Sequence, residues 1–425
     1  MSEAKAIETE AVTADTPREK MLARAWKVPL EELDVSNWHL MQHDAIWPYF
    51  ERLRKEAPVH YTAESRYGPF WSITRFDDIK AVDQDHGAFS SASGIGFFDT
   101  TTDTNNPGSS FIAMDPPKHD EQRKAVSPVV APKNLAQMES VIRERAGRIL
   151  DSLPVGETFN WVDKVSIELT TQMLATLFDF PFEERRRLTR WSDIATIPGL
   201  TLEQRQAEMA ECLATFTDIW HQRVGKEPNF DLISLLIHGE ATKNMVDNPS
   251  EYLGNIMLLI IGGNDTTRNS ISGGVLALNR FPEQFDKLRA DKSLIPNMVA
   301  EIIRWQTPLA FMGRKALQDV EVGGETIRAG DRVIMWYASG NRDETKFDHA
   351  NDLIIDRPNA RNHISFGFGL HRCMGNRLAE MQLRVLWEEI LERFDHVEVV
   401  GEPQRVRSNF IRGYAELPVQ LHAKA

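Results

Sequence analysis

The pattern of apolar and polar positions is mostly helical, with short extended runs between the helices. Trp47 to Lys55 has the spacing of a short helix. Val59–Thr62 and Phe70–Thr74 are β-prone runs split by Tyr67-Gly68-Pro69, which predicts a strand pair. From about Asn134 to His238 the pattern is helical, broken at Pro154-Val155-Gly156, at Pro181 and at Ile197-Pro198-Gly199-Leu200. Asn248-Pro249-Ser250-Glu251 carries cap and proline signals for a helix that runs through Leu258, Leu259, Ile260 and Ile261 to Leu278. Val320-Glu321-Val322-Gly323-Gly324, Ile327 and Arg332–Trp336 read as strands with tight turns. Leu378, Met381, Val385, Leu386 and Ile390 predict a terminal helix, and Val397–Leu421 is strand-rich. The expected fold class is mainly α with small β-sheets.

One stretch fits neither pattern. Ser90 to Pro117 is rich in Gly, Ser, Thr and Asn and carries Phe97, Phe98 and Phe111. Long irregular loops inside compact chains are often functional, and three phenylalanines favour a loop that covers a ligand over a surface excursion. Asp115-Pro116-Pro117-Lys118-His119 then begins a helix with proline near its first turn, and His119 and Arg123 share one face of it.

Composition narrows the class. The chain has 425 residues, 42% of them hydrophobic, enough for a large core. Length alone suggests two or three domains, but no linker or repeat interrupts the pattern, so a single domain over residues 21–425 is expected after an acidic, disordered tail at 1–20. The net charge of -13 argues against nucleic acid or anionic membrane as a partner. Two distant cysteines, Cys212 and Cys373, make no disulfide framework, and a reducing cytoplasm fits them. The acidic N-terminal stretch lacks a basic flank followed by an apolar run, and Ile256–Ile261 is too short to span a bilayer.

Two segments break the rules of their surroundings. Phe366-Gly367-Phe368-Gly369-Leu370-His371-Arg372-Cys373-Met374-Gly375 puts a cysteine at the opening of the terminal helix. Exposed N–H groups and the positive dipole end there favour a thiolate. Gly369 and Gly375 remove side chains on either side of the sulfur, so a flat, bulky group could approach. A thiolate in such a loop suits an axial ligand of haem iron. Gly262-Gly263-Asn264-Asp265-Thr266-Thr267 are poor choices for a buried helix interior, and such violations tend to mark function. Glu301-Ile302-Ile303-Arg304 places an acid and an arginine on one helical face, which alone is a common surface pair.

The run Phe366–Gly375, with its phenylalanine, three glycines, basic pair and cysteine in register, resembles the haem-ligand loop of the cytochrome P-450 family of haem-thiolate monooxygenases. The resemblance extends over roughly residues 45–421 and implies the fold of that family. It implies heme b (iron protoporphyrin IX) on the Cys373 thiolate, in a site that Phe366 and Gly262 help to line. His119, Arg123, Arg314 and His371 would hold the propionates. Gly262–Thr267 would be a bulged oxygen-binding groove, with O2 as co-substrate and Asp265 and Thr266 delivering protons. Glu301, Arg304 and Arg357 would maintain the fold near the haem. The 134–238 region would form a mobile roof, although Ile194, Ile197 and Leu200 suit a core equally well. Expected pocket residues are Phe97, Phe98, Phe111, Ile197, Leu258, Ile261, Leu309, Phe311, Met312 and Phe410.

The implied reaction inserts one oxygen atom of O2 into an unactivated C–H bond of a small hydrophobic substrate. No Gly-x-Gly-x-x-Gly follows a strand, so electrons are expected from a ferredoxin with its NAD(P)H-dependent reductase. Ferredoxins are usually acidic, so a local basic patch is required; Lys118, Lys124, Arg372 and Arg377 supply one, though each alone is ordinary solvated charge. Gly262–Ser270, Thr307–Ala310, His371–Glu380 and Ser408–Tyr414 look like the soluble bacterial branch that hydroxylates the terminal carbon of alkanes and fatty acids. Terminal C–H bonds are the strongest on a chain, so that reaction needs a channel presenting only the end carbon. A compact terpenoid-like substrate stays open. So does a non-catalytic haem-thiolate sensor, against which the Asp265–Thr266 pair argues. The same pair disfavours a peroxide-driven variant. A cytoplasmic monomer is expected.

Overall fold

A computed structural model describes residues 12–13, 15–97, 110–196 and 200–424. Phe98 and Ile197, both expected in the pocket, lie outside the described residues, as do residues 1–11. Within the stretch 1–20 expected as a tail, the described residues include the start of a helix. A helix begins at Arg18, and Tyr49 Oη donates to the Met21 carbonyl at 2.7 Å.

The chain is mostly helical, and its helices pack around one long member, Pro249–Arg280. Its 32 residues give a length of about 48 Å. The Asn248 side chain caps its first turn and Pro249 occupies the first helical position, as the sequence signals require. Its second half is buried on every side although it is rich in polar residues, so each polar group must find a partner. Asn264 Oδ1 accepts from Thr170 Oγ1 at 2.9 Å, Asn269 Oδ1 accepts from the Tyr414 N–H at 3.0 Å, and Ser272 Oγ pairs with Ser166 Oγ at 2.8 Å. The helix is α throughout, without the expected bulge at Gly262–Thr267. A π-helical stretch occurs instead at Val162–Ile167.

The main sheet has five strands in the order Val59–Thr62, Phe70–Ile73, Arg332–Met335, Met312–Ala316, Phe89–Ser90. The first two form the predicted strand pair, which is antiparallel. Phe70–Ile73 runs parallel to Arg332–Met335, which takes Met312–Ala316 antiparallel with Arg314 opposite Val333. A three-stranded sheet joins Thr158–Asn160, Pro418–Ala423 and Phe394–Val399. Thr158–Asn160 falls inside the stretch read as helical. Its strand partner lies far away at the C-terminal end, so local periodicity could not reveal it. No helix among the described residues is long and apolar enough to cross a membrane.

Candidate active site

A cavity of about 220 Å³ lies between the helix Pro249–Arg280 and the loop before the helix Asn376–Arg393. Leu258, Gly262, Thr266 and Ser270 face it as one stripe, recurring every four residues. A side chain at Gly262 would project into open space, whereas one at Gly263 would meet Leu174 at 2.9 Å. The two glycines therefore serve different ends, one clearing the cavity and one allowing helices to pack. Phe111, Leu309, Met312 and Phe366 complete the expected lining, with Leu174, Leu177 and Leu232 added from the helices above.

Cys373 faces the same cavity. It is open to that interior space and enclosed by protein otherwise. Its N–H donates to the Phe366 carbonyl at 2.8 Å, which closes the loop. Burial pushes the thiol above its ordinary value. The N–H groups of Gly375 and Asn376, together with Arg123 and Arg372, oppose this and favour the thiolate. Gly369 has a different role from the one its position suggested. It adopts φ +64°, and a Cβ there would lie 2.7 Å from the Asp83 carbonyl oxygen, so it fits the loop against a neighbouring helix and does not clear the cavity.

A cationic edge borders the sulfur. Arg123, Arg314 and His371 line the cavity, and the His119 ring stands edge-on to His371 at 4.4 Å. Burial, then Arg314, His119 and Arg123, lower His371 to about 2, so it is neutral. His119 Nε2 and both ring nitrogens of His371 are buried without a hydrogen-bond partner. No acidic side chain is among the described residues lining the cavity. Buried nitrogens left unpaired beside the buried Arg314 and the half-buried Arg123 suit an anionic guest. Haem, a flat dicarboxylate whose iron takes a thiolate, fits this donor set.

Of the proposed proton-delivery pair, only Thr266 reaches the cavity. Its Oγ1 donates to the Gly262 carbonyl at 3.0 Å. Asp265, one residue earlier and about 100° around the helix, turns away and is fully buried. It accepts from Ser192 Oγ at 2.8 Å and Asn264 Nδ2 at 3.2 Å, and pairs with Arg268 at 3.0 Å. Burial raises its carboxyl above the ordinary range, against the pull of Arg268, and Asp193 raises it further. Arg268 also reaches Asp193 at 2.5 Å. Ser192 and Asp193 belong to the helix Arg186–Thr196, so this helix clasps the central one at the acid. Sequence reading missed Ser192 and Asp193, which no spacing connects to Asp265. Arg268, three residues on, was within reach of it.

Other expected pocket residues lie elsewhere. Phe97, Phe311 and Phe410 pack together beside the sheet, with centroids 4.9 Å apart for Phe97–Phe311 and 5.2 Å for Phe311–Phe410. Ile261 is off the cavity stripe and packs on the main hydrophobic cluster. Glu301, Arg304 and Arg357 do come together. Arg304 clasps Glu301 through two bonds of 2.7 Å, and Arg357 adds one of 3.0 Å. Lys118 pairs with Glu251 at 2.6 Å. Lys124, Arg372 and Arg377 are exposed and form no ion pair among the described residues.

Comparison with known proteins agrees with this geometry. A family model described as cytochrome P-450 matches residues 155–415. Linalool 8-monooxygenase of Pseudomonas putida is 35% identical, over 93% of this chain and 100% of that protein. Methyl-branched lipid omega-hydroxylase of Mycobacterium tuberculosis is 32% identical, over 92% of this chain and 95% of that protein. Among solved structures, cytochrome P-450-153 from Novosphingobium aromaticivorans is 46% identical with a TM-score of 0.85, over 92% of this chain and 100% of that one.

Proposed function

The chain belongs to the cytochrome P-450 family and is a monooxygenase, and from that premise we propose that it hydroxylates the terminal carbon of medium-chain alkanes or fatty acids. The carrying observation is that the Cys373 thiol and the Thr266 hydroxyl face one cavity whose walls are otherwise mostly apolar, with leucine the commonest side chain. Such walls select an apolar chain and exclude water. The relative named for omega-hydroxylation of a lipid supports the terminal position. The relative named for linalool supports the competing reading, a compact terpenoid.

Haem bound at Cys373 would supply the activation of O2 and the attack on the C–H bond. The residues of the chain do the rest. Arg123, Arg314, His119 and His371 would hold the haem carboxylates by charge-assisted hydrogen bonds. Thr266 presents a hydroxyl to the cavity, and Asp265 behind it is the acid that gains and loses the proton, held by an ion pair with Arg268, which also reaches the partly exposed Asp193. Leu258, Leu309 and Met312 orient the substrate. Electrons come from a ferredoxin and its NAD(P)H-dependent reductase, docking on the face that carries Lys124, Arg372 and Arg377. A cytoplasmic location fits two cysteines that remain free.

The test is an optical titration of the haem-loaded protein with dodecane, a medium-chain fatty acid, linalool and camphor, followed by product analysis. A low-to-high-spin shift with the linear chains and terminal alcohols as products are expected. A shift with linalool or camphor alone would overturn the linear-chain reading.

A further inference from the structure

Asp83 carries no signal in the sequence; it sits in an ordinary amphipathic helix, Phe76–Gln84. Folding buries it to 4% exposure and surrounds it with donors from three other segments. Arg314 Nη2 donates to Oδ1 at 2.6 Å. Tyr337 Oη donates to Oδ2 at 2.7 Å, and so does the backbone N–H of Phe368, also at 2.7 Å. Burial, then the Asp83 charge, hold the Tyr337 hydroxyl well above its ordinary value, so it remains a donor. Immediately beside this side chain, Gly369 packs on the Asp83 carbonyl. One residue therefore grips the loop that presents Cys373 and, through the same carboxylate, the guanidinium of Arg314. Arg314 Nη1 is engaged by the Gly313 carbonyl at 2.8 Å. Two of its nitrogens are thus fixed from behind, while the residue lines the cavity beside His371.

We propose that Asp83 is a positioning residue for the haem site, acting on both the cationic edge and the thiolate loop. It aims Arg314 at the cavity and sets the register of Phe368–Cys373. It also places a carboxylate behind Arg314, so that the field at the haem site depends on Asp83 as well as on the two guanidinium groups, Arg123 and Arg314, that line the cavity. Groups one shell behind a cofactor tune it through orientation and field, and a buried ion pair broken on one side is costly. The inference rests on the haem-thiolate reading of the cavity.

Three variants separate charge from packing. Asp83→Asn keeps the shape but sets an uncharged amide, half of it a donor, against three donors. Asp83→Glu keeps the charge and shifts its position. Tyr337→Phe removes one hydrogen bond and no charge. Each is measured as the haem-loaded protein for reduction potential and for the rate of haem transfer to excess apomyoglobin. Asp83→Asn should move the potential positive, because a negative charge near the haem is lost, and should speed haem loss at least tenfold. Asp83→Glu should hold the potential near that of the parent while speeding haem loss. Tyr337→Phe should leave the potential unchanged. An unmoved potential in Asp83→Asn, or an equal shift in all three variants, would overturn the proposal. If Asp83→Asn does not take up haem, a shift in Asp83→Glu as large as that from Arg314→Gln would do so. Failure of the parent protein to give the thiolate-type Soret band of the reduced CO complex would overturn both this inference and the reading of the site.

Discussion

Two buried carboxylates, Glu301 and Asp265, are both held by arginine, yet they are finished differently. Glu301 receives Arg304 through two bonds, Arg357 through a third and the Ile354 N–H at 3.0 Å. Arg304 spends its remaining N–H groups on the carbonyls of Asn341, Ala350 and Asp352. Arg357 does the same with Asp348 and His349. All three side chains are almost wholly buried, and the cluster ties the helix Ile295–Gln306 to the segment before the Cys373 loop. Asp265 belongs to an open chain. Arg268 divides itself between Asp265 and the partly exposed Asp193, and its Nε finds no acceptor. A closed network pins the fold, because every charge in it would be stranded by a change. A network with a loose end and a carboxyl raised by burial suits a group that must gain and lose a proton.

Substitutions should separate these two kinds of network. The largest effect is expected at the closed one. Glu301→Gln strands two buried guanidinium groups and should cost about 3–5 kcal/mol in guanidinium chloride unfolding, with little haem-loaded protein recovered. A loss below about 1 kcal/mol would place Glu301 among surface pairs and dissolve the contrast. Asp265→Asn should cost only about 1 kcal/mol of stability, since Arg268 keeps Asp193. Product formation should nonetheless fall by roughly 10²-fold while reductant is still consumed. Destabilisation as large as that of Glu301→Gln would make Asp265 a structural residue.

A third measurement uses pH. Burial, then Arg304, lower His363 to about 3, so it is neutral in the fold. Its folded value lies below its unfolded one. The neutral histidine therefore contributes stability above pH 6.5, and that contribution is lost as pH falls from 6.5 toward 3. The unfolding free energy should drop by up to about 1.4 kcal/mol per pH unit in this window from this group, and His363→Phe should flatten the slope by that amount. An unchanged slope would show that burial and the charge of Arg304 do not hold His363 neutral. The smallest effect is expected at the exposed end of the open chain. Asp193→Asn should change stability by less than about 1 kcal/mol. Because Asp193 raises the Asp265 carboxyl, its loss should shift the acid limb of the pH–rate profile downward. A limb that does not move would cut Asp193 out of the relay.

How much of this was legible in advance depended on whether the signal was local. The helix Pro249–Arg280 declared its start through Asn248 and Pro249, and the cavity stripe of Leu258, Gly262, Thr266 and Ser270 follows from helical geometry once one member is known. The same geometry separates Asp265 from Thr266, which adjacency in sequence hides. The strand Thr158–Asn160 was invisible because its partner is remote. Phe97, Phe311 and Phe410 have the composition of pocket residues, but aromatic rings stabilise a core equally well, and the fold packed them against one another at tilted and edge-to-face angles.

The sequence by itself determined the chemistry available. A lone cysteine in a glycine-punctuated loop before a helix, an acid and a hydroxyl inside an apolar helix, and a Glu-x-x-Arg pair with a later arginine are all local patterns whose residue types dictate what they can do. Only the tertiary structure decided which groups act together. Asp83 with Arg314, Tyr337 and Phe368, and Asp265 with Ser192 and Asp193, are assembled from distant segments. Burial creates the need for each partner, and burial is a property of the packed chain that no single stretch of it contains.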